Sequence, residues 1–338
     1  MQAIVLTKTG NASEAFELKE WEKPSPKAGE ILVKVQASGL NFADVMARKG
    51  MYQDAPKIPC VLGYDVVGEV AALGEGVTDF VVGDRVTAMT RFGGYAEFAI
   101  VDTRGAVKIP SSMPLGEATA LTTQYCTAYF AAAEMVQLHK GDKVLIQSAA
   151  GGVGTALVQY AKYKGCEIFG TAGSAAKLQY LKECGVHHPI NYNETDFAEV
   201  IKKETGGKGV DVIFDAVGGN SVKRGIKSLA SGGRIVCYGA ADMTDKNVFG
   251  KLKAGLGFGI YHPAEFMMTS TAIIGVNMLR IADNKPEVLK RCLENVVVLT
   301  EQGIFKPLAG KVFPVNEFAA AHEFLEGRKS MGKVSLIW

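Results

Sequence analysis

The chain has almost no net charge: 37 Lys and Arg face 35 Asp and Glu, leaving +2 across 338 residues. So even a balance gives no electrostatic footprint for nucleic acid or for an anionic lipid surface. Long apolar runs are missing too. The best candidate, residues 254–278, carries His262, Pro263, Glu265 and several glycines, so no transmembrane segment is expected. Cysteine pairs are also lacking. Cys60, Cys126, Cys166, Cys184, Cys237 and Cys292 are far apart and form no C-x-x-C. That scatter suits a reducing compartment better than a disulfide framework. Met1-Gln2-Ala3-Ile4-Val5 has no basic segment leading into an apolar one. No signal or transit peptide is expected, and a cytoplasmic location is.

What is present is an ordinary globular composition, 48% hydrophobic and 21% charged, with length for about two domains. Residues 1 to about 120 read as mostly strand. β-Branched runs at 31–35 and 66–70 are bounded by turns containing glycine, proline and charge. From Leu121 the texture changes. Residues 121–137 lack Gly and Pro and carry apolar residues at helical spacing, which predicts a helix. Short apolar strands at 143–147, 167–171, 210–215, 234–238 and 271–276 follow, with helices predicted over 155–163 and 177–184, the latter ended by Gly185. Continuous apolar strands joined by helices imply a parallel sheet covered on both faces, an α/β class. After about 279, helices at 287–302 and 315–325 lead to a terminal strand at 333–337, a tail expected to fold back on the N-terminal region.

The first of the apolar strands runs into Ser148-Ala149-Ala150-Gly151-Gly152-Val153-Gly154 and then a helix. Ala149, Gly151 and Gly154 occupy the three positions of G-x-G-x-x-G. Glycine at the second lets backbone approach a diphosphate, and glycine at the third lets the helix pack close to the strand. Free amides and the positive dipole end of the helix then hold the anion. A lone fingerprint is weak, but the strand–turn–helix setting is the confirming context. An NAD site carries an acid about 20 residues on, at the end of the second strand. Here that position reads Thr171-Ala172-Gly173-Ser174, followed by Lys177. A hydroxyl and a lysine suit a 2′-phosphate, so NADPH is the expected cofactor. Tyr192 is a further candidate to close over the phosphate; a solvated helix lysine is the alternative reading of Lys177.

Several segments together resemble the medium-chain dehydrogenase/reductase superfamily, and within it the zinc-free quinone oxidoreductase (zeta-crystallin-like) branch on its VAT-1-like side. They are Gly39-Leu40-Asn41-Phe42-Ala43-Asp44, Leu62-Gly63-Tyr64-Asp65-Val66-Val67-Gly68, Gly83-Asp84-Arg85-Val86, Gly94-Tyr95-Ala96-Glu97, 149–154, Asp215-Ala216-Val217-Gly218-Gly219, Gly303-Ile304-Phe305-Lys306-Pro307 and Gly332-Lys333-Val334. The resemblance implies a GroES-like, mostly-β substrate domain from 1–122 and 279–338, a Rossmann doubly wound NADPH domain over 123–278, and a homodimer. Zinc-dependent relatives present Cys, His and Cys where this chain has Leu40 or its neighbours, Tyr64 and Thr123, none a normal zinc ligand. The four-cysteine zinc lobe is replaced by the short Thr90-Arg91-Phe92-Gly93-Gly94. No metal is expected.

By the same resemblance Asn41 lies beside the nicotinamide ribose or the substrate oxygen, Tyr52 is the candidate proton donor, Tyr64 lines the pocket, and Thr127 binds the carboxamide. Ala150, Gly151, Gly152, Val153, Gly154, Gly173, Ser174, Lys177, Tyr192, Val217, Gly239 and Lys333 complete the expected cofactor contacts. Asp44 and Asp65 are expected to be structural, bonding backbone or an arginine such as Arg48. His187-His188, with no Cys or carboxylate expected nearby, reads as surface rather than metal site. Residues 242–268, with Phe249, Phe258, Tyr261 and Phe266, suit a lid or pocket wall, or dimer packing. Without zinc to polarise a carbonyl, hydride acceptors needing little activation fit best: quinones and α,β-unsaturated carbonyls. The alternative from the resemblance is an NADPH-binding regulatory or membrane-associated adaptor with little catalysis.

Overall fold

The computed structural model describes residues 1–241 and 257–338. Two compact units emerge: Met1–Cys126 with Met278–Trp338, and Thr127–Asn277.

The first unit is built on strands. β1 (Gln2–Leu6), β2 (Phe16–Glu20) and β4 (Cys60–Val61) form a three-stranded sheet with β1 in the middle. A seven-stranded sheet runs β15 (Ala309–Pro314), β16 (Lys333–Ile337), β3 (Glu30–Leu40), β5 (Asp65–Leu73), β6 (Arg85–Met89) and β8 (Ala106–Lys108), with β7 (Phe98–Asp102) also on β3. Alternation sets its faces. Ile31, Val33 and Val35 of β3 join Val66, Val70, Val86, Ala88, Ala99 and Val101 in one buried cluster, as a period of two requires. The tail does fold back: β16 pairs antiparallel to β3, Val334 opposite Leu40 and Ser335 opposite Gly39. The helix Phe42–Arg48 follows β3 directly, entered through Asn41.

The second unit is a six-stranded parallel sheet in the order β11 (His188–Asn191), β10 (Glu167–Ala172), β9 (Lys143–Ile146), β12 (Val210–Asp215), β13 (Leu229–Cys237), β14 (Ala272–Gly275). Strand order reverses direction between β9 and β12, the place where such sheets open a crevice at their carboxyl ends. The predicted helices form with slightly wider bounds, Gly152–Tyr163 and Ala175–Cys184, and Gly185 ends the latter at φ 90°. Its Cβ-free backbone carries that left-handed turn without strain. The helical run expected at 121–137 is less regular. Helical turns at Leu115–Ala120 and Cys126–Tyr129 are followed by wider, π-type turns at Leu121–Tyr125 and Phe130–Met135. Hydrophobic spacing cannot signal such turns, because the extra residue per turn changes the period only locally. Residues 242–256, with Phe249, lie outside the described residues.

Candidate cofactor and active site

In the second unit the carboxyl ends of β9, β10, β11, β12 and β13 carry the expected cofactor residues from Ala150 to Gly239. β9 ends at Ile146, and the turn that follows leads to Gly151 as the N-terminal cap of the helix Gly152–Tyr163. A Cβ on Gly154 would stand 2.4 Å from the Ser148 carbonyl and 2.7 Å from Ala149 Cα. Only glycine lets the helix start this close to the strand. Ser148 sits at φ +53°, and its carbonyl accepts from Gly151 N at 2.9 Å. The turn therefore leaves the amides of the first helical turn without helical partners, in position to accept an anion.

β10 delivers Gly173 and Ser174 next to that turn. Ser174 caps the following helix, its Oγ accepting from Lys177 N at 3.4 Å. Tyr192, just past β11, lies against Gly173, where an added Cβ would meet its Oη at 2.2 Å. Asn193 donates from Nδ2 to the Gly173 carbonyl at 3.0 Å. Lys177 is partly buried, and that burial pulls its ammonium pKa down. The end of β10 thus carries no acid and has hydroxyl, amide and ammonium groups beside it, while Glu194 in the loop after β11 accepts from Asn191 Nδ2 at 2.6 Å. Asn193 was not anticipated, because a loop asparagine carries no signal until its neighbour is known.

Past β12, Asp215 Oδ1 accepts from Val217 N at 2.9 Å and Gly218 N at 2.7 Å, shaping the loop that presents Val217. Gly239, past β13, lies so close to this loop that a Cβ would reach the Ala216 carbonyl at 2.6 Å. Phe258 packs against Gly218, 2.8 Å from where a Cβ would stand, and onto the core cluster of this unit. Thr127 is buried.

The first unit brings together Asn41, Tyr64, Tyr52 and Lys333. Asn41 is fixed at every polar atom that counts. Its backbone N donates to Asp44 Oδ2 at 2.8 Å, its Nδ2 donates to Asp65 Oδ2 at 2.7 Å, and its Oδ1 accepts from Lys333 Nζ at 2.8 Å. Lys333 Nζ also pairs with Asp65, both side chains wholly buried. Thr122 and Thr123 both donate to Asp65 Oδ1. Gly39 makes the room: a Cβ there would stand 2.3 Å from Lys333 Cε. Lys333, expected to contact the cofactor, is enclosed instead behind Asn41, because its ammonium neutralises Asp65.

Asp44 bonds backbone, as expected, at Asn41 N and Gly63 N. Burial pushes its carboxyl up to about 7, with the Asp65 charge adding to the rise. The proposed arginine partner is a correction. Arg48, equally buried, pairs with Glu326 rather than with either aspartate. Burial likewise raises the Tyr52 and Tyr64 phenols, which lie near one another. Both stay protonated at neutral pH, fit to donate and not to act as bases.

Leu40, Tyr64 and Thr123 supply no metal ligand set, and among the described residues no group of three His, Cys, Asp or Glu side chains could hold a metal ion. The histidine pair needs correcting. His188 Nε2 lies 2.8 Å from Glu167 Oε1, with its ring stacked on Phe169 at 4.2 Å, and His187 Nδ1 accepts from Ile168 N at 3.0 Å. A carboxylate does lie beside His188, because β10 and β11 pair in parallel.

Two family descriptions match the chain: "Alcohol dehydrogenase GroES-like domain" over 27–111 and "Zinc-binding dehydrogenase" over 152–294. The residues present do not fit the zinc in the second description. The chain is 34% identical over 342 residues to the synaptic vesicle membrane protein VAT-1 homolog of Rattus norvegicus, covering 100% of this chain and 84% of that protein. The structure superposes on the Escherichia coli quinone oxidoreductase complexed with NADPH at TM-score 0.87, 28% identity and full coverage of both chains. It matches the CurK enoyl reductase at TM-score 0.86 and 28% identity, over 99% of this chain and 98% of that one.

Proposed function

The chain belongs to the medium-chain dehydrogenase/reductase superfamily, in its quinone oxidoreductase and VAT-1-like branch, and from that premise we propose that it is an NADPH-dependent reductase of quinones or α,β-unsaturated carbonyls that works without zinc. One observation carries the reading: a glycine-built anion turn whose neighbouring strand end offers Gly173, Ser174, Lys177 and Tyr192 and no acid. That edge favours a 2′-phosphate over a bare ribose. The likeness to an NADPH-complexed quinone oxidoreductase and to an enoyl reductase supports both the cofactor and the substrate class.

NADPH, when bound, supplies the hydride. The amides of Ala150, Gly152, Val153 and Gly154, on a turn closed by the Gly151 amide, would hold the diphosphate, Ser174, Lys177 and Tyr192 the 2′-phosphate, and Val217, Gly239 and Thr127 the nicotinamide half. Asn41, its Oδ1 held by Lys333, would orient the ribose or the substrate oxygen. Tyr52 would donate the proton and Tyr64 would line the pocket. Conjugated acceptors need no Lewis acid, which matches Leu40, Tyr64 and Thr123 standing where zinc ligands would be. The test is loss of the reduced-nicotinamide absorbance when purified protein meets NADPH and a panel of quinones and enones. Turnover with NADPH well above that with NADH supports the reading; tight NADPH binding with no turnover across the panel overturns it.

The chain also works as a cytoplasmic homodimer in this proposal. Among the described residues β14 is one of the two edges of its sheet, and Met267 and Met268, shortly before it in the chain, are 80% and 87% exposed, an apolar surface suited to a second copy. Among the described residues no helix is long and apolar enough to cross a membrane. The same exposed residues, and a relative named as a synaptic vesicle membrane protein, favour one second reading, an NADPH-binding regulatory or membrane-associated adaptor with little catalysis. Sedimentation as a dimer with no flotation on liposomes supports the first; flotation without reductase activity supports the second.

A further inference from the structure

A chain of hydrogen bonds runs beneath the carboxyl edge of the parallel sheet, from the diphosphate turn to the loop after β12. Ser148 N donates to Thr171 Oγ1 at 3.0 Å, Thr171 Oγ1 to Gln147 Oε1 at 2.7 Å, and Gln147 Nε2 to Ser221 Oγ at 3.3 Å. Ser221 Oγ donates to Asp215 Oδ2 at 2.5 Å, and Asp215 Oδ1 takes the amides of Val217 and Gly218. Gln147, Thr171 and Asp215 are buried at 4%, 1% and 0% exposure, so these groups do not themselves meet a ligand.

The direction of every bond in the chain is forced. The Asp215 carboxylate only accepts, so Ser221 must donate to it. Ser221 Oγ then accepts from the Gln147 amide nitrogen, which turns Gln147 Oε1 toward Thr171. Thr171 must donate there, leaving its oxygen for the Ser148 amide. No hydroxyl or amide can be reversed without orphaning a buried group. The two ends are the places that matter. Ser148 holds the left-handed backbone on which the anion turn is built, and Val217–Gly218 shape the loop proposed for the nicotinamide half.

We propose that Gln147, Thr171 and Ser221 are positioning residues that couple the adenosine-phosphate half of the dinucleotide site to the nicotinamide half. The proposal rests on the cofactor reading above. The two halves then do not bind independently: loosening the loop after β12 loosens Ser148 and the turn. Chained hydrogen bonds polarise one another, so such a network is worth more than the sum of its separate pairs.

Calorimetry with 2′,5′-ADP, which carries only the adenosine-phosphate half, tests this on the full chain. Wild-type protein binding neither NADPH nor 2′,5′-ADP defeats the cofactor reading itself. Given wild-type binding, Ser221→Ala is expected to weaken 2′,5′-ADP by about three- to tenfold although Ser221 belongs to the far end. Gln147→Leu should do the same, and the double variant should lose no more than either alone. Thr171→Ser should bind like wild type and Thr171→Val should not. NADPH KM should rise in these variants with kcat little changed. If Ser221→Ala and Gln147→Leu bind 2′,5′-ADP as wild type does, whatever their melting temperatures, the coupling is refuted and the chain is packing alone.

Discussion

The two units solve the placing of polar groups in opposite ways. At the sheet edge of the second unit the work is done by neutral side chains, small residues and backbone amides, with one buried carboxylate, Asp215, as anchor. In the first unit, ionisable groups are buried: Lys333 with Asp65, Arg48 against a part-exposed Glu326, Asp44 on backbone amides. A neutral network tolerates partial loss, because each bond contributes about 1 kcal/mol net. A buried ion pair does not, because removing one partner strands the other in a medium that cannot solvate it.

The sharpest way to break this contrast is Lys333→Met, which strands Asp65. A loss of about 3–5 kcal/mol is expected in urea unfolding, and adding Asp65→Asn should recover part of it. If Lys333→Met costs no more than Gln147→Leu, the distinction between the units fails. Next in size, Gly154→Val forces a side chain onto the Ser148 carbonyl. Overpacking of about 1–3 kcal/mol should appear as roughly 10- to 100-fold weaker NADPH binding by fluorescence titration.

A third test uses pH. His322 is wholly buried, with no hydrogen-bond partner for either ring nitrogen. Burial pulls its pKa down to about 3 from 6.5. Below pH 6.5 the unfolded chain takes up the proton first, so this residue's contribution falls as pH falls from 6.5 toward 3. Asp44 runs the other way. Its folded pKa, about 7 against an ordinary 3.8, makes its contribution fall as pH rises from 3.8 through 7. The two oppose each other across nearly the same window. His322→Phe removes one arm, and denaturation at pH 5 should then show the variant gaining on the order of 1–2 kcal/mol relative to wild type. Equal profiles would mean that the imidazole does not titrate across folding. Smallest of all, Lys177→Ala should weaken NADPH about tenfold while leaving NADH nearly unchanged, roughly the worth of one charge-assisted contact. An equal effect on both would place the lysine away from the 2′-phosphate.

The same contrast explains what the sequence could disclose. The parallel sheet, its helices and the glycine turn after β9 were readable because their determinants are local: apolar runs and glycines at fixed offsets within about 30 residues. The buried charges were not. Nothing around Arg48 or Glu326 points to the other, and Asp65 gives no hint of Lys333, 268 residues away. Gln147 and Ser221 escaped for a milder reason, since polar residues at strand ends look like loop decoration until the sheet order brings β9 and β12 together. Glu167 beside His188 follows likewise from strand register, which spacing alone cannot supply.

Because β16 provides Lys333, and β3 waits for β16 as a neighbour, synthesis on the ribosome imposes an order. Everything in Thr127–Asn277 emerges while Asp65 still lacks its counter-ion, so this unit can assemble first. The strands translated earliest then finish last, and a nascent chain stalled before position 333 would hold a cofactor fold alongside an N-terminal sheet still open to chaperones and proteases.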